Sequence, residues 1–117
     1  MPDLHDVVGA LGQRDGVEAV IILGNDGLPI ASHVRDGADP EVLSALVPNI
    51  VQASEQLGQH ASQGMLAAGV FEFSAGYAIL STLSTDARLL VLVRPRTNIG
   101  PLLYDLASHR AEIAGLL

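Results

Sequence analysis

Side chains capable of catalysis or metal binding are few in this sequence and widely spaced. The chain has four histidines, and no two of them show the i, i+4 spacing that places both imidazoles on one face of a zinc-binding helix. Ser108 and His109 are neighbours, but adjacent residues of a helix point in different directions, so a hydroxyl-to-imidazole relay is not expected. We therefore predict no catalytic or metal site from these groups. The histidines are His5, His33, His60 and His109.

The remaining candidates are an isolated acid and a group of arginines. Glu72 is the single charge in an otherwise apolar predicted strand, residues 66–73, where it is either a tuned general acid or a residue at the exposed end of the strand. Arg88, Arg94 and Arg96 could form a small anion-binding patch at the end of a predicted meander. Arginines near a loop more often form a solvated rim, and we favour that interpretation.

Residues that the sequence lacks exclude whole classes of chemistry. Without lysine, the chain supplies neither the phosphate-binding lysine of a P-loop nor a Schiff-base amine. Without cysteine, it has no disulfide, thiolate zinc site or cysteine nucleophile. We predict a protein that is not an enzyme and that uses no cofactor and no metal. An enzyme acting on a small molecule is the least favoured function.

Length and charge restrict the partners. The 117 residues correspond to one domain, residues 1–117, with a net charge of -7 and no diffuse basic field to attract nucleic acid. The N-terminus has acids where a secretory signal would have bases, and no apolar run approaches the ~20 residues needed to span a bilayer. We predict a cytoplasmic protein that does not insert into membranes.

The first third of the chain predicts a helix followed by a β-hairpin. Residues 3–13 carry apolar side chains at helical spacing, and residues 17–23 are apolar on both alternating sets, as in a strand covered on both faces. Asn25-Asp26-Gly27 is a typical hairpin turn. The returning strand, residues 28–34, contains Pro29, which cannot donate a ladder hydrogen bond and indicates a sheet edge.

A long helix is predicted next. Asp39 is a suitable N-cap, followed by a proline in the first turn. Pro48 lies beyond that turn and predicts a kink or a break, so the segment could be two helices. The predicted core stripe is Leu43, Val47, Ile50, Ser54, Leu57 and Ala61.

The last half predicts a three-stranded meander and a final helix. The strands are expected at residues 66–73, 77–83 and 87–93, and helical spacing resumes from Asn98. The element order is α-β-β-α-β-β-β-α. A five-stranded antiparallel sheet that is apolar on both faces needs a layer on each side, which predicts an α/β (α+β) three-layer sandwich.

Two segments carry more apolar surface than one domain needs. Val42, Leu46 and Ala53 lie beside the predicted core stripe of the long helix. The strand at residues 65–73 lacks the lysines or prolines that normally protect a sheet edge. Either these segments meet a partner, or the strand lies inside the sheet and the helix is deeply buried.

Several of these features resemble the roadblock/dynein light-chain family. The resemblance rests on the hairpin NDGLPIAS at residues 25–32, on the apolar strand at residues 89–93, and on Asn98-Ile99-Gly100 at the start of the last helix. It covers nearly the whole chain. It implies a profilin-like sandwich with the long helix on one face of the sheet and the other two helices on the opposite face.

The resemblance also implies a homodimer in which the third strand pairs with its copy and the long helices pack side by side. The interface residues would be Leu46, Asn49, Ala53, Ala68, Gly69, Val70 and Phe71.

Bacterial members of the family, as in gliding motility, bind a small Ras-like GTPase and can stimulate its hydrolysis of GTP without donating a catalytic arginine. The resemblance implies a similar regulator or adaptor here; the alternative is a scaffold subunit of a larger complex. The chain ends at Leu117, soon after the last helical segment, and we expect no C-terminal extension of the kind that some relatives possess. The predicted GTPase-binding residues are Asn49, Gln52, Glu55, Gln56 and Gln59.

Overall fold

The computed structural model describes residues 2–35 and 37–117. The sequence also predicts a loop at residues 36–39, between the hairpin and the long helix, and this prediction lies partly outside the described residues. Three helices and five strands follow the predicted order. They are α1 (Leu4–Gly12), β1 (Val17–Gly24), β2 (Pro29–Val34), α2 (Pro40–His60), β3 (Ala68–Phe73), β4 (Gly76–Thr82), β5 (Ala87–Val93) and α3 (Gly100–Ala114).

The strands form one antiparallel sheet in the order β2-β1-β5-β4-β3. The central strands β1 and β5 are almost entirely buried, as expected for strands covered on both faces. β2 is an edge strand, which confirms the interpretation of Pro29. β3 is the other edge strand, so the alternative that placed it inside the sheet is wrong.

Two apolar clusters on opposite faces of the sheet hold the three layers together. Val8 of α1 and Leu102 and Leu106 of α3 pack on one face with Val20 and Val91. Val47 of α2 packs on the other face with a cluster from the central strands. The predicted sandwich is confirmed, with α2 on one face and α1 and α3 on the other.

Aspartate side chains cap the first two helices. The Asp39 carboxylate accepts a hydrogen bond from the backbone N–H of Glu41 at 3.0 Å, as expected from the sequence. At the start of α1, Asp3 and Asp6 form a reciprocal capping box. The backbone N–H of Asp6, which donates to the Asp3 carboxylate, lowers the pKa of that carboxyl.

The predicted break of α2 at Pro48 is wrong, because α2 runs as one helix of 21 residues. Proline lacks the N–H that would bond the carbonyl of Ser44. That carbonyl lies against the hairpin turn: a Cβ added to Gly27, which has φ +79°, would be 3.3 Å from the Ser44 oxygen and 3.2 Å from Pro48 Cγ. The turn therefore covers the point where the helix lacks a bond.

No helix among the described residues is long and apolar enough to span a membrane.

Candidate protein-interaction surface

The residues first considered for chemistry do not form a common site. Ser108 Oγ donates to the backbone oxygen of Tyr104 at 2.8 Å, and His109 Nδ1 lies 2.8 Å from the oxygen of Asp105, so each side chain contacts its own helix. Glu72 is exposed on β3. Among residues 2–35 and 37–117, no group of three or more metal-ligating side chains lies close enough to hold a metal.

Arg88, Arg94 and Arg96 form neither an anion-binding patch nor the expected solvated rim, because Arg88 is buried. Arg88 lies near the start of β5 and Arg94 follows its last residue, so the length of the strand separates them. Arg94 pairs with Asp15 and Glu18 at 3.3 and 3.6 Å. Arg88 is 8% exposed, and its Nη1 donates to Asn25 Oδ1 at 2.5 Å. One arginine is therefore buried under α2, and the other is solvated at the far end of the strand.

Glu55, one of the predicted GTPase-binding residues, lies on the sheet-facing side of α2 and not on its exposed side. Its Oε2 accepts a hydrogen bond from the N–H of Leu66 at 3.0 Å, and its Oε1 lies 3.8 Å from Nη2 of Arg88. The carboxylate partly compensates the buried guanidinium and ties the end of α2 to the segment before β3. Glu55 is therefore a structural residue of the single chain.

We expect Glu55→Ala to lower the free energy of unfolding by about 1–3 kcal/mol, because Arg88 loses its counter-charge and Leu66 loses its acceptor. The estimate lies below that for a fully buried pair, since the Glu55 side chain is 30% exposed. Urea denaturation followed by circular dichroism measures the effect. Gln56→Ala, one residue along on the exposed surface, is the matched control and should change stability by less than about 0.5 kcal/mol.

An apolar stripe on α2 faces away from the chain's own sheet. The predicted core stripe is right at Val47, which is buried, and at Leu43, which packs against the same core cluster. It is wrong at Ile50 and Leu57, which are 37% and 70% exposed, because the buried face is rotated towards Ser44. Val42 and Leu46 are 58% and 56% exposed. We call the exposed row the α2 stripe. It consists of Val42, Leu46, Ile50, Ala53 and Leu57.

A polar row lies beside the α2 stripe, on the flank of the helix nearer to the hairpin turn. All four members are exposed and uncharged. We call this row the polar flank; it contains the predicted GTPase-binding residues other than Glu55. Its members are Asn49, Gln52, Gln56 and Gln59.

The β3 edge exposes both backbone groups and apolar side chains. The N–H of Thr82 bonds the oxygen of Ala67 at 2.9 Å, and Ala68 is opposite Ser81 in the ladder. Because bonding alternates along an antiparallel strand, the N–H and C=O groups of Ala68, Val70 and Glu72 point away from β4. Phe71 and Phe73 are 36% and 62% exposed.

The α2 stripe and part of the β3 edge lie on the same side of the molecule. Phe71 is opposite Ala78, which belongs to the core cluster beneath α2. Residues opposite each other in an antiparallel pair point to the same face, so Phe71 and Phe73 are on the α2 face. That face therefore carries two exposed apolar surfaces, one on the helix and one at the sheet edge.

These features define a class of protein: a small three-layer α/β domain whose long helix and one edge strand leave apolar surface uncovered. The sequence model of the Roadblock/LC7 domain matches residues 4–93, and the chain belongs to this family. Two uncharacterized proteins of Methanocaldococcus jannaschii are each 29% identical to it over 93 residues, which are 77% of this chain and 78% of theirs.

Solved structures of the family share the whole fold. A Roadblock/LC7 domain from Streptomyces avermitilis superposes with a TM-score of 0.86 at 22% identity, covering 97% of both chains. MglB of Myxococcus xanthus gives 0.87 at 17% identity, covering 97% of this chain and 93% of that one. The gliding protein MglB of Thermus thermophilus gives 0.84 at 13%, covering 97% and 87%. At these identities the likeness establishes the fold.

Proposed function

We propose that the protein is a non-enzymatic homodimer that binds a small Ras-like GTPase as its regulator or adaptor. The observation that carries this proposal is the pair of uncovered surfaces on one face, the α2 stripe and the β3 edge. Pairing β3 with its copy satisfies the outward backbone groups of Ala68, Val70 and Glu72. The same two-fold symmetry brings the two α2 stripes together and buries their apolar side chains.

The proposed dimer interface keeps all seven residues expected from the sequence. Leu46 and Ala53 belong to the α2 stripe, and Asn49 lies at its border with the polar flank. Ala68, Gly69, Val70 and Phe71 lie in the edge strand. Ile50 and Leu57 join them because both are apolar and exposed. Self-association of relatives supports the proposal, since one MglB structure is described as a tetrameric arrangement.

We place the GTPase on the polar flank of α2. The polar flank is exposed and uncharged, so a partner that covers it desolvates no ion, which suits reversible binding. The two neighbouring α2 helices of a dimer would present their polar flanks on the outer sides of the joined α2 stripes. The fold shared with MglB proteins of the gliding system supports a GTPase as the partner.

The proposal is tested with a small Ras-like GTPase from the same organism, loaded with GDP or with a non-hydrolysable GTP analogue. We expect binding to one nucleotide state to exceed binding to the other, because a regulator acts by differential affinity for the switch conformations. Biolayer interferometry measures both affinities. Equal affinity for the two states would favour the alternative, a scaffold subunit without effect on nucleotide turnover.

The combination Gln52→Arg with Gln56→Arg is expected to weaken GTPase binding about tenfold or more, because two bulky charges enter a contact made by neutral amides. The dimer mass should stay unchanged, since both residues lie off the α2 stripe. The matched control is Glu41→Gln in the first turn of α2. Unchanged affinity in the double variant would move the GTPase site away from the polar flank.

A further inference from the structure

A cavity of about 270 Å³ opens between α3 and the β3–β4 ladder, on the face opposite α2. Its walls are mostly apolar, with Ile79, Leu103 and Leu106 among them. Ala68 and Val70 of the edge strand form its outer wall, next to the surface that we propose pairs with a second copy. The outer part of this cavity therefore lies close to the two-fold axis of the proposed dimer.

Two polar side chains line the cavity without satisfying all their hydrogen-bonding groups. Ser81 is 2% exposed and its Oγ has no partner, and the buried Nε of Arg110 has none either. Within residues 2–35 and 37–117 the Arg110 guanidinium forms no ion pair, whereas those of Arg14, Arg88 and Arg94 each do. A buried donor and a cation without a counter-charge are costly, and they favour an anionic hydrogen-bond acceptor at this place.

Glu72 is the acidic side chain of β3, and the ladder register sets its direction. Ala68 is opposite Ser81, Val70 opposite Ile79 and Glu72 opposite Tyr77. Ile79 and Tyr77 belong to the cluster under α1 and α3, so Glu72 also points to the α3 face. Within one chain Glu72 does not line the cavity and forms no ion pair among the described residues.

Two-fold pairing of β3 places Glu72 of one protomer beside the cavity of the other. If the two-fold axis keeps both α2 helices on the same side of the joined sheet, residues opposite each other in the β3–β3 pair point to the same side of that sheet. Glu72 can therefore be opposite Ala68 or Val70 of the partner, because all three point to the α3 face. Both line the cavity. Cross-strand neighbours are about 5 Å apart at Cβ, and Ala68 is small, so a glutamate side chain can reach past it towards Arg110.

We propose that Glu72 of each protomer enters this cavity of its partner and forms an ion pair with Arg110, twice in each dimer. The inference rests on the proposed dimer and adds a specific recognition element to it. Each chain carries a net charge of -7, so two copies repel one another. A complementary pair at the edge supplies local attraction, fixes the register of β3 against its copy, and satisfies the guanidinium that one chain leaves unpaired.

Charge reversal on separate chains tests the proposal. In a dimer of Glu72→Arg chains two arginines meet at each site, and in a dimer of Arg110→Glu chains two glutamates meet, so each variant should self-associate at least about tenfold more weakly. An equimolar mixture should restore a dimer. In the mixed dimer the two substituted side chains, now of opposite charge, meet at one site, while the other site keeps its native Glu72 and Arg110. Sedimentation velocity of the separate and mixed variants measures this.

The outcomes separate this proposal from that of the dimer itself. A monomeric wild type would overturn both. A dimeric wild type whose two reversed variants also fail to associate when mixed would overturn the ion pair and leave the dimer standing. So would reversed variants that associate as tightly as wild type. Circular dichroism checks that both variants fold, and Glu72→Gln and Arg110→Gln replace them if either does not. Each neutral variant should then weaken the dimer, and their combination should weaken it by less than the product of the two effects.

The matched control is Arg96→Glu, an exposed arginine in the loop before α3 that does not line the cavity. It changes the net charge as much as Arg110→Glu does. We expect Arg96→Glu to leave self-association close to that of wild type. Its mixed dimer with Glu72→Arg should be weaker than the one that Arg110→Glu forms with Glu72→Arg, because one site keeps its native pair but two arginines meet at the other. A mixed dimer with this control as tight as that with Arg110→Glu would show that net charge, and not a specific pair, governs the association.

Discussion

Ala68→Pro is expected to convert the proposed dimer into single chains of 12.2 kDa while leaving the chain's own sheet intact. The N–H of Ala68 points away from β4, so proline removes no bond of the β3–β4 ladder. In the dimer it removes one donor from each copy of the edge strand. Leaving the opposing acceptors unpaired costs about 2–6 kcal/mol over both sites, a weakening of roughly 30-fold or more.

Light scattering coupled to gel filtration measures the mass of the Ala68→Pro variant across micromolar concentrations. Ala68→Ser is the matched control, because serine keeps the backbone donor and is close to alanine in size. It should remain a dimer. A dimeric proline variant with an unchanged dissociation constant would show that the chains associate through another surface.

Local sequence signals predicted the frame of this fold correctly. The hairpin turn, the Asp39 cap and the edge position of β2 each follow from a few adjacent residues with fixed backbone preferences. Such signals do not depend on contacts with residues that are distant in the sequence. For that reason the order of elements and the three layers could be inferred before any tertiary contact was known.

The phase of α2 could not be predicted, because the helix is apolar on two sides. Ile50 and Leu57 have the residue types of a core, yet they are exposed, while the small polar Ser44 is fully buried beside the hairpin turn. Periodicity identifies apolar rows but does not say which row meets the chain's own sheet. The structure shows which apolar row is exposed, namely the α2 stripe, and this exposed row is the evidence for a partner.

The direction of Glu55 and the continuity of α2 through Pro48 could not be predicted for a related reason. Glu55 lies among glutamines in sequence, and its inward direction depends on Arg88, which is 33 positions away on β5. At Pro48 the unbonded carbonyl of the helix is covered by the turn at Gly27, which lies between β1 and β2 and is distant in sequence. Both are long-range contacts that residue type and local spacing do not encode. The cavity at Arg110 could not be predicted either, since Ser81 and Arg110 come together through packing of α3 on the sheet.

The α2 stripe and the polar flank divide one helix between two partners, if both proposals hold. Substitutions on the α2 stripe should then abolish the dimer, and those at Gln52, Gln56 and Gln59 of the polar flank should leave it intact. GTPase binding should respond to both, because a monomer presents one α2 helix instead of two adjacent ones. Comparing the two sets of variants therefore distinguishes dimerisation through the α2 stripe from GTPase binding on the polar flank better than either set does alone.

Leu46→Asp is expected to have the largest effect on the α2 stripe. Leu46 is 56% exposed in the single chain, so aspartate there disturbs neither core cluster and the monomer keeps its fold. In the dimer the new carboxylate is buried between two apolar helices, and the two-fold axis brings its copy close. Burying an unpaired charge costs several kcal/mol, which corresponds to a loss of association of roughly 100-fold or more.

Analytical ultracentrifugation should show Leu46→Asp as a single chain at concentrations where wild type is a dimer, with an unchanged circular dichroism spectrum. Ala45→Asp is the matched control, because Ala45 is the preceding residue and is exposed but lies off the α2 stripe. It adds the same charge and should remain dimeric. If both variants stay dimeric, the α2 stripe is not the interface; if both dissociate, net charge and not burial between the helices controls the association. Dissociation of Leu46→Asp alone, together with loss of the dimer in Ala68→Pro, would require an interface that contains both the α2 stripe and the β3 edge.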